Sequence, residues 1–193
     1  MPVPLHDLAV GPVRLALLPH AGGRGESAAR AWLAAGLGLA PDALALPRDA
    51  HGRPALGRPG RDCNWSHSGD RLLVALAEGA RVGVDLELRR PRPKALEIAR
   101  RYFHPQEAVR LAALDGRERE AAFLRLWCAK EAVLKAHGRG LAHGLGRFGI
   151  AGFEEAGAPL RLAVDDGALG RGWRLRAFDW PEAIAVVAWR PDP

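Results

Sequence analysis

From Glu118 to His137 the chain runs without a Gly or Pro, in a sequence that holds 23 Gly and 15 Pro. The run is rich in Ala, Leu, Glu and Arg, which lose little side-chain freedom in a helix. Gly138 and Gly140 follow it as a stop. One long helix is predicted here, and the rest of the chain must pack around it. On that helix Glu131 and Lys135 are i and i+4 and share a face. Upstream, Val82-Gly83-Val84-Asp85-Leu86-Glu87 reads as a strand. Asp85 and Glu87 then point one way, and Val84, Leu86 and Leu88 the other.

Each half has an ordinary reading. An i,i+4 Glu–Lys pair is commonly a solvated surface pair worth a few tenths of a kcal/mol, and an Asp-x-Glu pair is commonly the wet face of a sheet. Taken together, three carboxylates and a lysine read as a magnesium and phosphate site. Magnesium prefers hard oxygen ligands, often a few carboxylates completed by substrate phosphates, and a lysine beside it neutralises phosphate charge. Lysine usage favours this second reading. Of 28 Lys and Arg residues only Lys94, Lys130 and Lys135 are lysine, and two of these fall within six residues of each other. Lysine is a compact charge whose proton responds to its surroundings, unlike the permanently charged fork of arginine.

Gly83-Val84-Asp85-Leu86-Glu87 followed by Trp127-Cys128-Ala129-Lys130-Glu131-Ala132-Val133-Leu134-Lys135 resembles the paired signature of the 4'-phosphopantetheinyl transferases. Asn64-Trp65-Ser66-His67-Ser68 upstream and Gly138-Arg139-Gly140-Leu141 downstream extend the likeness, which runs from about Gly52 to Ile150 and is to the long-chain, Sfp-type members. The resemblance implies an α+β fold of two similar lobes related by a pseudo-two-fold axis, with the active site between them. The lobes would be residues 1–79 and 80–193. It implies transfer of 4'-phosphopantetheine from coenzyme A to a serine of an apo acyl or peptidyl carrier protein, with Mg2+, releasing adenosine 3',5'-bisphosphate. It assigns Asp85, Glu87 and Glu131 to the metal. Glu131 would be the base for the serine, directly or through a metal-bound water, with Glu87 as the alternative, and Lys135 would stabilise or protonate the leaving phosphate. Arg53, where the family usually has the lysine of Gly-Lys-Pro, would contact coenzyme A, as would Ser66, His67 and Ser68. Lys130 would hold a phosphate or the helix surface. Trp127 reads as packing. The segment before Glu26 is shorter than in many long-chain members, with Arg14, Arg24, Arg30, His6 and His20 as its basic candidates; weaker coenzyme A binding is expected from that side.

A length of 193 residues allows one domain or two small lobes with a real core. A net charge of +6 suits anionic partners, here an acidic carrier protein. An RNA-binding module is the competing class. Against it, no RNA-binding aromatic motif lies on a strand, and the chain has one Tyr. A catalytically degenerate coenzyme A- or nucleotide-binding member is the other alternative. Cys63 and Cys128 are too few for a disulfide framework or a zinc cluster, and Cys128 reads as a small buried residue. The first residues lack the basic and apolar regions of a signal peptide, and no run has the length of a membrane span. A soluble cytoplasmic monomer is expected, since two lobes in one chain supply both sides of the site.

Strands are expected at 12–18, 43–46, 63–66, 72–77, 81–88, 148–151, 160–164, 173–178 and 183–189, and helices at 26–37, 95–101, from Pro105, and at 118–137. His20 to Gly25 is glycine-rich but lacks the closing Gly-Lys-Ser/Thr of a P-loop, and is expected to be a turn. Arg89 to Lys94 is a stiff basic linker, either solvated or a docking surface for an acidic partner. Asp165-Asp166-Gly167 is expected to be a turn.

Overall fold

A computed structural model describes residues 3–138, 140–164 and 167–192. Arg139 of the glycine-rich stretch and Asp165-Asp166 of the expected turn lie outside the described residues. The chain begins with β1 (His6–Val10) and β2 (Val13–Pro19), then α1 (Glu26–Gly36). Three strands follow: β3 (Arg61–Ser68), β4 (Arg71–Glu78) and β5 (Ala80–Leu88). Next come α2 (Ala95–Tyr102), α3 (Pro105–Ala112) and the long α4 (Gly116–His137). The chain closes with β6 (Gly149–Ala151), β7 (Arg161–Val164), β8 (Arg174–Asp179) and β9 (Ala183–Pro191).

All strand pairs among the described residues are antiparallel. One sheet has the order β1-β2-β4-β3, the second β5-β9-β8, and β6-β7 form a small third. The two larger sheets pack face to face. Val13, Leu15 and Leu17 of β2 and Leu73, Ala75 and Ala77 of β4 meet Val82, Val84 and Leu86 of β5 and Ala183, Ala185 and Val187 of β9. The intervening residues face outward into separate cores. Ala16, Leu18, Leu72, Val74 and Leu76 pack under α1, while Ile184, Val186 and Ala188 pack under α4. The order of layers is therefore helix, sheet, sheet, helix, an α+β architecture. Burial on both faces explains why Leu72 to Ala77 and Ala183 to Ala188 are continuous apolar runs rather than alternating ones.

The long helix is buried on nearly every side, and its side chains from Ala122 to Ala136 include few that reach solvent. A helix sheltered in this way is central to its unit. Its approach to β5 is set by Gly83. A Cβ there would lie 2.1 Å from the Ala132 carbonyl oxygen and 2.5 Å from the Ala136 amide nitrogen, so only glycine lets strand and helix touch. Gly138, with φ 92°, ends the helix in the left-handed conformation.

Two expectations for the elements change. No strand forms at 43–46. Pro41–Ala43 is a short 3-10 turn, and Leu44 and Leu46 bury themselves beside α1 without pairing. A strand that was not expected, β1, pairs with β2 from Val10↔Val13 to His6↔Leu17. Among the described residues no helix is long and apolar enough to cross a membrane.

Candidate active site

Strands β3 and β5 are each the outer strand of their sheet, and they are joined through side chains. Positions 62, 64, 66 and 68 share one face of β3. Asp62 Oδ2 accepts from the Val82 amide at 2.8 Å, Asn64 Oδ1 from the Val84 amide at 2.9 Å, and Ser68 Oγ from the Leu88 amide at 3.2 Å. Arg53 Nη2 donates to the Val82 carbonyl at 2.9 Å and Lys135 Nζ to the Val84 carbonyl at 3.2 Å. The Val82, Val84 and Leu88 amides and the Val82 and Val84 carbonyls are thus satisfied without a backbone ladder.

Ser66 departs from the pattern. Its hydroxyl donates to Asp85 Oδ1 at 2.8 Å and accepts from Lys135 Nζ at 3.0 Å. Lys135 also pairs with Asp85 Oδ1 at 2.7 Å. Asp85 is buried, and its Oδ2 has no hydrogen-bond partner among the described residues. Glu87 Oε2 accepts from Ser68 at 3.1 Å and from Arg92 at 2.7 Å. Glu131 stands nearby on α4. Burial raises its pKa above 4.5, and the neighbouring Asp85 and Glu87 charges raise it further against the pull of Lys135. Burial works to lower the Lys135 pKa, but the Asp85 carboxylate and Glu131 outweigh it, and the pKa is raised. The ammonium is held charged.

The structure therefore brings together Asp85, Glu87, Glu131, Lys135 and Ser66. Among the described residues no three His, Cys, Asp or Glu side chains already stand as a metal-ligating group. Beside Lys135 opens a cleft of about 230 Å3, walled by Arg48, His51, Asn64, Trp65 and Leu134 among others. Arg48 lies over the Trp65 ring at 5.6 Å. His67 is on the opposite face of β3 from Ser66, exposed, with its ring 5.0 Å from that of His20.

Two residues expected at coenzyme A are committed elsewhere. Lys130 is fully buried, and its ammonium is taken up by Glu107 Oε2 at 2.8 Å and the carbonyls of Leu145 at 2.8 Å and Phe148 at 2.6 Å. Five positions from Lys135 on a helix places it roughly 140° around the axis, so it faces the core while Lys135 faces the site. Arg53 borders the cleft, but it is buried and its guanidinium is bonded to Asp62, Pro54, Val82 and Lys135. Ser68 holds Glu87 and β5. Both cysteines are buried: burial pushes the Cys63 thiol up to about 12, and Cys128 is raised well above its usual value by burial and the nearby Asp85 and Glu87.

Three contributors, Asp62, Asn64 and Arg92, were given no individual role in the sequence. Asp62 and Asn64 belong to an alternation Asp-x-Asn-x-Ser-x-Ser whose polar period of two was there to be read as one strand face. Arg92, in the linker read as solvated or docking, pins Glu87. Trp127 is half-buried against Phe103 and Phe123 at 6.1 Å each, as packing requires.

The 4'-phosphopantetheinyl transferase superfamily domain matches residues 81–187. The chain is 40% identical over 121 residues to the Synechocystis protein slr0495, covering 61% of this chain and 49% of that one. It is 34% identical over 122 residues to the 4'-phosphopantetheinyl transferase HetI of Nostoc, covering 61% of this chain and 52% of HetI. It is 29% identical over 171 residues to a 4'-phosphopantetheinyl transferase of Bacillus subtilis, covering 87% and 73%. The chain spans about half the length of the first two of these relatives.

Proposed function

The chain belongs to the 4'-phosphopantetheinyl transferase superfamily, and on that premise we propose that it transfers 4'-phosphopantetheine from coenzyme A to a serine of an apo carrier protein. The serine oxygen forms a bond to the phosphorus bearing the pantetheine arm. The pyrophosphate P–O bond breaks, and adenosine 3',5'-bisphosphate leaves. The observation that carries this reading is one arrangement: Lys135, at the wall of a cleft bordered by Arg48 and His51, is paired with Asp85 at 2.7 Å, with Glu131 and Glu87 nearby. The two lobes, 1–79 and 80–193, would supply the site within one monomer.

Glu131 is the better base of the two glutamates. Glu87 is held by Ser68 and Arg92, whereas no such pair holds Glu131 among the described residues, and burial with the nearby acids favours its taking up a proton. It would take the serine proton. Lys135 would meet the charge that grows on the departing phosphate. Ser66 would hold Lys135 and Asp85 in register, and His67, exposed beside His20, would be free to contact phosphate.

The residues present fit a magnesium ion. Asp85 offers a buried carboxylate oxygen without a partner among the described residues, and the mutual repulsion felt by Glu131, Asp85 and Glu87 is what a cation relieves. Few protein ligands stand ready, which suits a metal that takes several oxygens from substrate phosphates and water. Asp85, Glu87 and Glu131 would hold it, and bound there it would neutralise pyrophosphate charge.

The test is the mass of an apo carrier protein after incubation with this chain, coenzyme A and Mg2+. A gain of one phosphopantetheine that EDTA abolishes is expected. No gain on acyl, polyketide and peptidyl carriers, together with no coenzyme A binding, would overturn the reading; binding without transfer would instead mark a catalytically degenerate member.

A further inference from the structure

We propose that Arg53 is a positioning residue for Lys135, clamping the main chain of the last turn of α4 to the junction of β3 and β5. The inference rests on the reading of Lys135 as the cation that serves the leaving phosphate. Its own ground is geometric. Arg53 Nε donates to the carbonyl of Lys135 itself at 2.8 Å. Nη1 donates to Asp62 Oδ1 at 2.9 Å and the Pro54 carbonyl at 3.2 Å, and Nη2 to Asp62 Oδ2 at 2.5 Å and the Val82 carbonyl at 2.9 Å. A guanidinium has five N–H donors, and here each has a protein acceptor. No donor is left over for a phosphate.

The clamp and its target use neighbouring rungs of one strand. Arg53 sits on the Val82 carbonyl and grips the Lys135 backbone, while the Lys135 side chain reaches the Val84 carbonyl, Ser66 and Asp85. Where the Lys135 ammonium stands follows from where Arg53 holds its main chain. Arg81 Nη2 adds a second contact to the next carbonyl, that of Ala136, at 3.4 Å. Both arginines meet the end of a helix where carbonyls are unpaired and positive charge is favourable.

The turn that delivers Arg53 is itself built. Asp49 Oδ1 accepts from the amides of His51 at 2.9 Å and Arg53 at 3.0 Å, the Asp49 amide donates to the Arg53 carbonyl at 3.0 Å, and Arg48 bridges to Pro54. The Arg53 amide, chief among these contacts, holds the Asp49 carboxyl below its usual value. An arginine is required at such a site, because a lysine cannot take a carboxylate bidentately and reach carbonyls of two other elements at once.

The experiment is steady-state transfer kinetics for Arg53→Lys, Asp62→Asn, Lys135→Met and the double variant Arg53→Lys/Lys135→Met, with coenzyme A and with dephospho-coenzyme A. Arg53→Lys is expected to lower kcat by about tenfold or more and to move KM for coenzyme A by less than about threefold. The preference for coenzyme A over dephospho-coenzyme A should be unchanged, because no phosphate contact is lost. Asp62→Asn should act in the same direction. The double variant should be scarcely worse than Lys135→Met alone, since Arg53 acts through Lys135. A silent Arg53→Lys, a rise in KM with kcat spared, or losses that multiply in full would overturn the proposal. Should Arg53→Lys fail to fold, Asp62→Asn combined with Lys135→Met carries the same comparison. Should the wild-type chain transfer nothing to any carrier, the functional reading fails separately. Amide exchange at Gly138, whose N–H closes the helix on Leu134 at 2.9 Å, then decides the clamp: faster exchange in Arg53→Lys supports it and unchanged exchange refutes it.

Discussion

Lys130 and Lys135 lie on the same helix and each meets a buried carboxylate at under 3 Å, yet the two surroundings drive them apart. Around Lys130 desolvation wins. It lowers the lysine pKa and raises that of Glu107, pushing both toward neutrality. Both oxygens of Glu107 are also engaged, by the Ile150 amide at 2.7 Å and by Lys130 and the His104 amide. Around Lys135 the charges win. Its side chain is 28% exposed, Asp85 keeps one oxygen unpartnered among the described residues, and the pKa of the lysine is raised. A pair whose bonds are complete and dry is a strut. A pair left with an open oxygen, a path to solvent and unbalanced acids beside it is poised to receive something.

The largest effect expected from breaking this contrast is on stability. Lys130→Met strands the Glu107 carboxylate and should cost about 3–5 kcal/mol in urea denaturation. Adding Glu107→Gln should restore much of it. Lys135→Met should cost less stability but lower kcat about 100-fold. A stable Lys130→Met protein beside an unstable Lys135→Met protein would reverse the assignment.

Next in size is Gly83→Ala. The new methyl meets helix backbone, which cannot rotate away, and a loss of about 3 kcal/mol is expected. Because β5 carries Asp85 and α4 carries Lys135, transfer should fall as well. Calorimetry and a transfer assay on the surviving folded fraction separate the two.

Smaller and opposite in sign is Glu131→Gln. Its folded pKa lies above 4.5, so between the unfolded and folded values the native state binds more protons, and stability falls as pH rises through that window. Above that window the ionised group therefore strains the ligand-free protein. The amide should stabilise by about 0.5–2 kcal/mol while abolishing transfer, and Mg2+ should raise the melting temperature of wild type more than that of the variant. The smallest effect concerns salt. Raising ionic strength should increase KM for an acidic carrier by about two- to fivefold and leave the dry Lys130 pair untouched.

The Lys135 side of this contrast was within reach of the sequence and the Lys130 side was not, and the limits are physical. The alternation at 82–88 placed Asp85 and Glu87 on one face, and helical phase placed Glu131 with Lys135, because both depend only on local period. What Lys130 and Arg53 do was hidden, since their partners are set by packing across the chain: Glu107, Phe148 and Val82 share no local pattern with them. The expected strand at 43–46 reflected the apolar residues Leu44 and Leu46, which bury against α1 where no strand is available to pair. β1 escaped notice because an outer strand needs only half its residues apolar.

The junction of β3 and β5 has a consequence for solubility. Each strand is the open border of its own sheet, and each would otherwise offer a template on which foreign strands could polymerise. Here they shield one another with carboxylate, amide and hydroxyl groups at 62, 64 and 68. Losing one of these contacts uncovers two adhesive margins at once. Substitution of Asp62 or Asn64 by alanine should therefore show itself first as inclusion bodies and light scattering.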